Sequence, residues 1–240
     1  LNKCESIGQS KKSKIFLDFP TVNGNLKSFQ VYYSPVMPNR LIRKFPNIKT
    51  YTGIGLKNPT ERISITISDL GIKAMIIGDD NKIFIDPIEN STGLYRVSYN
   101  EMNVPEVNQN LGCGDNDVIR RYQDQNGRNN RNNFPACVGE DQPCYSIGDT
   151  LVTFRFAGIV TTEANNQISD GTVDGGLAWL NAMVNQVNLL WVRELSFRLE
   201  LIENNDLLIY TNSNPTPSDF TYYDMYTELP LVLDHITDVI

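Results

Sequence analysis

"GTVDGGLAWLNAMVNQVNLLWVREL", residues 171–195, is where the chain changes its period. Leu177, Leu180, Val184, Val187 and Trp191 recur at i, i+3, i+7, i+10 and i+14, which lines them along one stripe of an amphipathic helix. Thr172 stands where an N-cap hydroxyl accepts from a first-turn amide, and Asp174 complements the positive end of the helix dipole. Both flanks read as strands. "TLVTFRFAGIV" (150–160) puts Val152, Phe154 and Phe156 on one face, "SFRLELIE" (196–203) alternates Phe197, Leu199 and Leu201, and "LLIY" (207–210) is a short apolar run. Strand, long helix and strand make a βαβ unit, with a right-handed crossover if the strands are parallel. So few strands leave an edge and an apolar face uncovered, so this unit is expected to open a larger α/β module.

Upstream the period is two. "SFQVYY" (28–33) alternates Phe29, Val31 and Tyr33, and "ERISITIS" (61–68) alternates Ile63, Ile65 and Ile67 against polar neighbours. "IKAMII" (72–77), "KIFIDP" (82–87) and "LYRVSY" (94–99) follow, with "GDDN" (78–81) as a hairpin-type turn and "ENSTG" (89–93) as a loop. The pattern predicts an antiparallel sheet from about Leu26 to Tyr99, with a helical turn at Asn39–Lys44 that Pro46 stops. The glycines of "TGIG" (52–55) read as turns, since no strand–helix context makes them a nucleotide-binding loop.

Between the halves, "QDQNGRNNRNN" (123–133) holds no apolar side chain, so burial cannot offset its ordering entropy and it reads as an exposed loop or linker. Arg120 and Arg121 precede it and Arg128 and Arg131 lie within it, which makes these four candidate cleavage sites for a trypsin-like protease; the plainer alternative is a solvated loop. After the second half, "SNPTPSDFTYYD" (213–224) reads as a loop, and "LPLVLDHITDVI" (229–240) places Leu229, Leu233, Ile236 and Ile240 at helical spacing with Pro230 in the first turn. The division is therefore a β-rich domain over 1–112, a polar linker over 113–149, and an α/β segment over 150–240, together a mixed α+β chain.

Charge and composition exclude several classes. A formal net charge of -7 argues against an electrostatic grip on nucleic acid or on an anionic membrane face. No run approaches the length of apolar sequence that spans a bilayer. The start, "LNKCESIGQSKKSK", shows neither Met nor an apolar signal region, as expected of a trimmed or processed protein or of a fragment. Cys4, Cys113, Cys137 and Cys144 lack the C-x-x-C spacing of a zinc knuckle or redox pair; they read as disulfides of an exported protein or as free thiols.

Catalytic chemistry finds few candidates. The single histidine, His235, follows Asp234, but no nucleophile turn accompanies them, and one histidine cannot supply a three-histidine zinc site. No phosphate-binding loop occurs, and no Asp/Glu pair stands out as a glycosidase dyad. Tyr222, Tyr223 and Tyr226 fit a sugar or peptide platform, or ordinary packing. No catalytic or cofactor-binding set is complete.

Longer blocks carry a resemblance. The stretch from Phe154 to Pro215, with "VNLLWVREL", "RLELI" and "NDLLIY" in order, resembles the start of the catalytic domain of secreted bacterial reprolysin-like metallopeptidases of the metzincin group. Upstream, "PVMPNRLIRKFPNIKTYTGIGLKNP", "ISITISDLGIKAMI", "IFIDP" and "YRVSY" are similar to the same proteins' propeptide. The likeness covers roughly residues 29–100 and 150–240. It implies the N-terminal part of a secreted zinc endopeptidase zymogen: an antiparallel β-rich propeptide, then the first strands and long helix of a metzincin-like α/β catalytic domain. Its partners are the remainder of that catalytic domain and, for the whole enzyme, protein substrates. The family's H-E-x-x-H-x-x-G-x-x-H helix, whose histidines hold zinc while its glutamate serves as general base, is absent from the chain, and His235 matches none of its ligand positions. Zinc is thus implied for the complete protein and not for this chain.

"NLGCGDNDV" (110–118) is similar to the cysteine-switch pattern of matrixin propeptides, in which a thiolate takes the fourth zinc position and keeps the zymogen latent. It lacks that pattern's preceding Pro-Arg and later Pro, so Cys113 stands as a candidate inhibitory ligand beside its alternatives, a disulfide with Cys137 or Cys144 or a free thiol. The rival to the peptidase reading is a non-enzymatic secreted β-rich binding or adhesion module.

Overall fold

The computed structural model describes residues 15–78, 82–88, 93–99 and 150–217. Two compact units divide the chain, Leu1–Asn100 with Asp149–Ile240 and, separately, Glu101–Gly148, and all described residues belong to the first of these. The described residues of the β-rich half and of the α/β half thus share one unit.

The β-rich half is a seven-stranded meander in chain order, each strand antiparallel to the one before: β1 (Phe16–Pro20), β2 (Leu26–Tyr33), β3 (Lys49–Gly55), β4 (Arg62–Ser68), β5 (Gly71–Ile77), β6 (Lys82–Pro87) and β7 (Tyr95–Ser98). The sheet curls into a half-barrel. Its registers Val31↔Gly53, Gly53↔Ile63, Ile63↔Ile76 and Ile76↔Ile83 stack the apolar positions on one face, where Phe29, Tyr51, Ile65 and Ile85 join them as a core.

Two expectations fail here. The "TGIG" glycines are not turns: they end β3, a strand paired on both sides, and "FLDFP" adds β1 before the predicted start of the sheet. Gly53 explains the concealment. A Cβ there would lie 2.7 Å from Ile63 Cγ2 and 3.3 Å from Phe29 Cβ, so glycine lets the curled strands approach while hiding the strand pattern. Nor does the polar face of "ERISITIS" meet water: Ser64 and Thr66 are buried together with Thr50 of β3.

The second half comprises β8 (Val152–Phe156), α2 (Thr162–Ile168), α3 (Val173–Leu195), β9 (Phe197–Leu201) and a 3-10 turn, Asn205–Leu208; α1 (Asn39–Lys44) lies between β2 and β3 as predicted. Thr172 caps α3, its hydroxyl accepting from Gly175 N at 3.0 Å. Ser196, in the left-handed region at φ 53°, ends α3 and turns the chain directly into β9. β8 and β9 pair in parallel with Phe154 opposite Leu199, which is the expected strand–helix–strand unit. "LLIY" is not a strand: it enters the 3-10 turn, and Ile209 makes a single parallel bridge to Val160.

The apolar stripe of α3 does not await further chain. Leu177, Leu180 and Val184 are buried in one cluster with Val36, Met37, Leu41, Phe45 and Ile48 of the first half and Val160, Leu201 and Ile209 of the second. Burying each such side chain contributes about 1.5–3 kcal/mol, so this cluster is a principal source of the unit's cohesion. Farther along, Val187 is half-buried and Trp191 exposed, while Leu189 packs on Met75, Ile77 and Phe84 of the sheet's outer face. The helix therefore rolls from its predicted stripe onto a second, more polar one.

Candidate functional site

Cys4, Cys113, Cys137, Cys144, Arg120, Arg121, Arg128, Arg131, Tyr222, Tyr223, Tyr226 and His235 all lie outside the described residues. Among the described residues no histidine or cysteine occurs, and no three His, Cys, Asp or Glu side chains are grouped to hold a metal ion. Those residues do not fit a zinc centre. What the described part does build is an interface between its two chain segments, 15–99 and 150–217.

The interface begins with a pinned loop. Thr50 Oγ1 donates to Ser34 O at 2.7 Å and accepts from Val36 N at 3.1 Å, while Ser34 N donates to Thr50 O at 3.0 Å. Held this way, residues 34–36 present two carbonyls to the second segment. Arg198 donates to Pro35 O and to Ser34 Oγ, the latter at 3.2 Å, and Leu201 N donates to Val36 O at 3.0 Å. Burial pushes the Arg198 guanidinium below its ordinary range, and nearby Glu200 opposes that shift.

A second contact is ionic. Asp206, in the 3-10 turn, has a side chain only 1% exposed. Its Oδ2 accepts from Lys44 Nζ, and its Oδ1, without a hydrogen bond, lies 4.0 Å from Arg40 Nη1, within ion-pair reach. Arg40 also donates to Glu203 O at 2.9 Å and to Asn204 Oδ1. Both cations sit on α1 and are about half exposed, so solvent screens them, and each pairing is worth on the order of 1 kcal/mol.

The third contact is an asparagine. Asn185 of α3 is buried, and its Nδ2 donates into the sheet, 3.2 Å from Tyr51 O, 3.1 Å from Ile65 O and 3.4 Å from Thr66 Oγ1. Other buried amides act the same way within the second segment. Asn188 accepts from Leu199 N at 2.7 Å and donates to Leu199 O at 2.8 Å; Asn205 accepts from Gly158 N at 2.8 Å and donates to Gly158 O at 2.9 Å. Asn165 donates to Tyr210 O at 2.8 Å and Thr172 O at 3.1 Å. A side-chain amide carries the donor and acceptor of a peptide group, so each asparagine stands in for a missing piece of backbone. Sequence reading passed over these residues, although Asn181, Asn185 and Asn188 share the helix with its apolar stripe and three amides on one buried helix were a legible signal.

Two clefts open where α3 meets the first segment. One, about 10 Å³, lies by Thr66, Leu70 and Trp179; the other, about 50 Å³, lies by Asn47, Asp69, Asp170 and Asp174. Their volumes suit a water or two and not a substrate. Asp170 is already engaged, accepting from Thr172 N at 3.0 Å and Thr172 Oγ1 at 2.6 Å.

The remaining distinctive surface is apolar. Val152, Phe154, Leu195 and Phe197 are exposed around the start of β8 and β9, with the Phe154 and Phe197 rings edge-on at 5.2 Å. No helix of the described residues is long and apolar enough to cross a membrane. No protein family, no curated protein and no solved structure matches the chain.

Proposed function

We propose that the chain is the N-terminal part of a secreted zinc metalloendopeptidase precursor of the reprolysin-like type, with 15–99 as a prosegment folded onto the first elements of the peptidase segment. The observation that carries the reading is the shared core. The residues whose sequence resembles a propeptide supply Val36, Leu41 and Phe45, and those resembling a catalytic domain supply Leu177, Leu180 and Leu201, to one buried cluster. A prosegment that templates folding needs such an interface, because it must cover apolar surface that the peptidase segment cannot cover alone.

The side of β8 that has no ladder partner among the described residues supports the same reading. A parallel pair of strands is rarely a finished sheet, and the remainder of the catalytic domain is the natural source of its further strands. In this reading the linker over 113–149 is where Arg120, Arg121, Arg128 or Arg131 is cut, and Cys113 is the candidate inhibitory zinc ligand.

The test is made on the whole precursor. Its reading frame is followed past Ile240 for an H-E-x-x-H helix, and the purified protein is assayed for zinc and for cleavage of a protein substrate before and after a cut in the linker. Bound zinc with activity that rises on cutting is expected. A frame without the histidines, or activity unchanged by the cut, refutes the reading. Cys113→Ala separates the switch from its alternatives: premature activity supports the thiolate ligand, and unchanged latency eliminates it.

A further inference from the structure

We propose that the surface formed by residues 34–50 and the outer face of β3–β5 binds segment 150–217 as a separable partner, so that a chain cut within 101–148 persists as a one-to-one, two-chain complex. The proposal stands whether or not the complete protein is a peptidase.

The geometry is that of two associated polypeptides. The ladders of the meander and of the β8–β9 pair are separate, and among the described residues neither sheet contains a strand from the other segment. Among the described residues nine hydrogen bonds cross between the segments, one from Leu201 N to Val36 O and eight from the side chains of Arg40, Lys44, Asn185 and Arg198. A stable protein–protein interface carries roughly ten, around an apolar centre with a polar rim. That arrangement is present: Leu41, Phe45, Leu177 and Leu180 lie in the centre, with the Arg40–Lys44–Asp206 cluster and Arg198 about them.

Separation would also leave groups that association satisfies. Asp206 would lose both cations, and the carbonyls of Tyr51 and Ile65 the Asn185 amide. Anchors that are fully desolvated dominate the affinity of such interfaces, and Leu41 and Leu177 are both 0% exposed. The covalent link raises the effective concentration of one segment at the other but makes none of these bonds.

The experiment places a specific protease site within 123–133 of the full chain, cuts the folded protein completely, and reads size by gel filtration and native mass spectrometry at micromolar concentration. One species holding both pieces, with the circular dichroism of the uncut chain, is the expected result. Its urea midpoint should fall on tenfold dilution, while that of the uncut chain stays fixed. Elution of two separate pieces, or aggregation of the cut protein, overturns the proposal. Leu41→Asp is the companion variant: once cut it should dissociate under conditions that keep the native pair together, and a cut Leu41→Asp protein that stays paired as tightly as the native one also overturns the assignment of this surface.

Discussion

Replacing Asn185 with aspartate asks whether the buried amide works as a donor. The change alters almost no volume but turns a group that donates to Tyr51 O, Ile65 O and Thr66 Oγ1 into one that, when ionised, only accepts. Two carbonyl oxygens about 3 Å away repel a carboxylate, and burial removes the water that would stabilise it, so Asn185→Asp should fold with a protonated carboxyl. In the unfolded chain that carboxyl titrates near 3.9. A group whose folded value is raised keeps its stability below the unfolded value and loses it as pH rises toward the folded one. Each pH unit well above that value costs about 1.4 kcal/mol, and the carboxyl is already about half ionised at pH 4, so between pH 4 and pH 6 the variant should lose about 2.4 kcal/mol relative to the native chain. With a urea dependence of about 2–3 kcal/mol per molar, that is a relative shift of about 1 M in midpoint. The assay is urea unfolding followed by tryptophan fluorescence at both pH values. Asn185→Leu serves as control, losing about 1–3 kcal/mol with no such pH dependence. A difference between native and Asn185→Asp that stays constant from pH 4 to pH 6 refutes the donor role.

Asp206→Asn should lower stability by about 1–2 kcal/mol, since the buried carboxylate loses its charge toward two half-exposed cations; urea midpoints in low and in molar salt check it, and the gap to the native chain should narrow at high salt. Burial raises the Tyr33 hydroxyl above its ordinary range, so its contribution is complete below about 10 and fades as pH climbs beyond. Tyr33→Phe should therefore flatten the alkaline limb of stability, and an unchanged slope between pH 9 and pH 11.5 in thermal melts would count against it. Asn188→Ala removes two short bonds to Leu199 and should cost about 2–4 kcal/mol, whereas Phe154→Lys, on exposed β8, should cost less than about 1 kcal/mol; equal losses in urea titrations would contradict a difference between the two strands.

Elements with a clean period were legible. The Thr172 cap and the Leu177–Leu180–Val184 stripe gave α3, and the alternating isoleucines gave β4 through β6. β3 was obscured because Gly53 and Gly55 occupy positions where a strand normally shows side chains, Gly53 because Ile63 and Phe29 on the neighbouring strands leave no room for a Cβ and Gly55 because the turn at Asn58 leaves none. "LLIY" has strand composition, but Asn205 is held by Gly158 and Asp206 by Lys44, and Asn205–Leu208, which takes in its two leucines, winds into a 3-10 turn. The pairing of the two halves was not legible, because it depends on Ser64 and Thr66 facing a helix, and alternation alone gives a strand's faces without saying what covers either. The candidate residues taken from cysteine, arginine and histidine positions lie outside the described residues, while Asn185 and Asp206 belong to residue types for which burial reverses the usual expectation.

The amides also set which way the small parallel sheet can extend. In a parallel ladder, alternate residues turn their peptide groups to opposite edges, and on β9 the outward ones include Leu199 and Leu201. Leu199 has both its N–H and its carbonyl taken by Asn188, and Leu201 N–H is taken by Val36 O. At Leu199 and at the Leu201 N–H that edge is closed, with no strand beside it among the described residues. β8 has no ladder partner on its other side among the described residues, and its side chains are the most exposed of any strand in the fold's second half. Two solutions to the open-edge problem thus coexist within one pair of strands: side-chain amides and a pinned loop cover β9, while the outward peptide groups of β8, at Thr153 and Arg155, meet no ladder among the described residues. An added strand can join this sheet at β8 alone, since joining at β9 would first require the loss of Asn188's two bonds and of the Val36 contact that ties the two segments together.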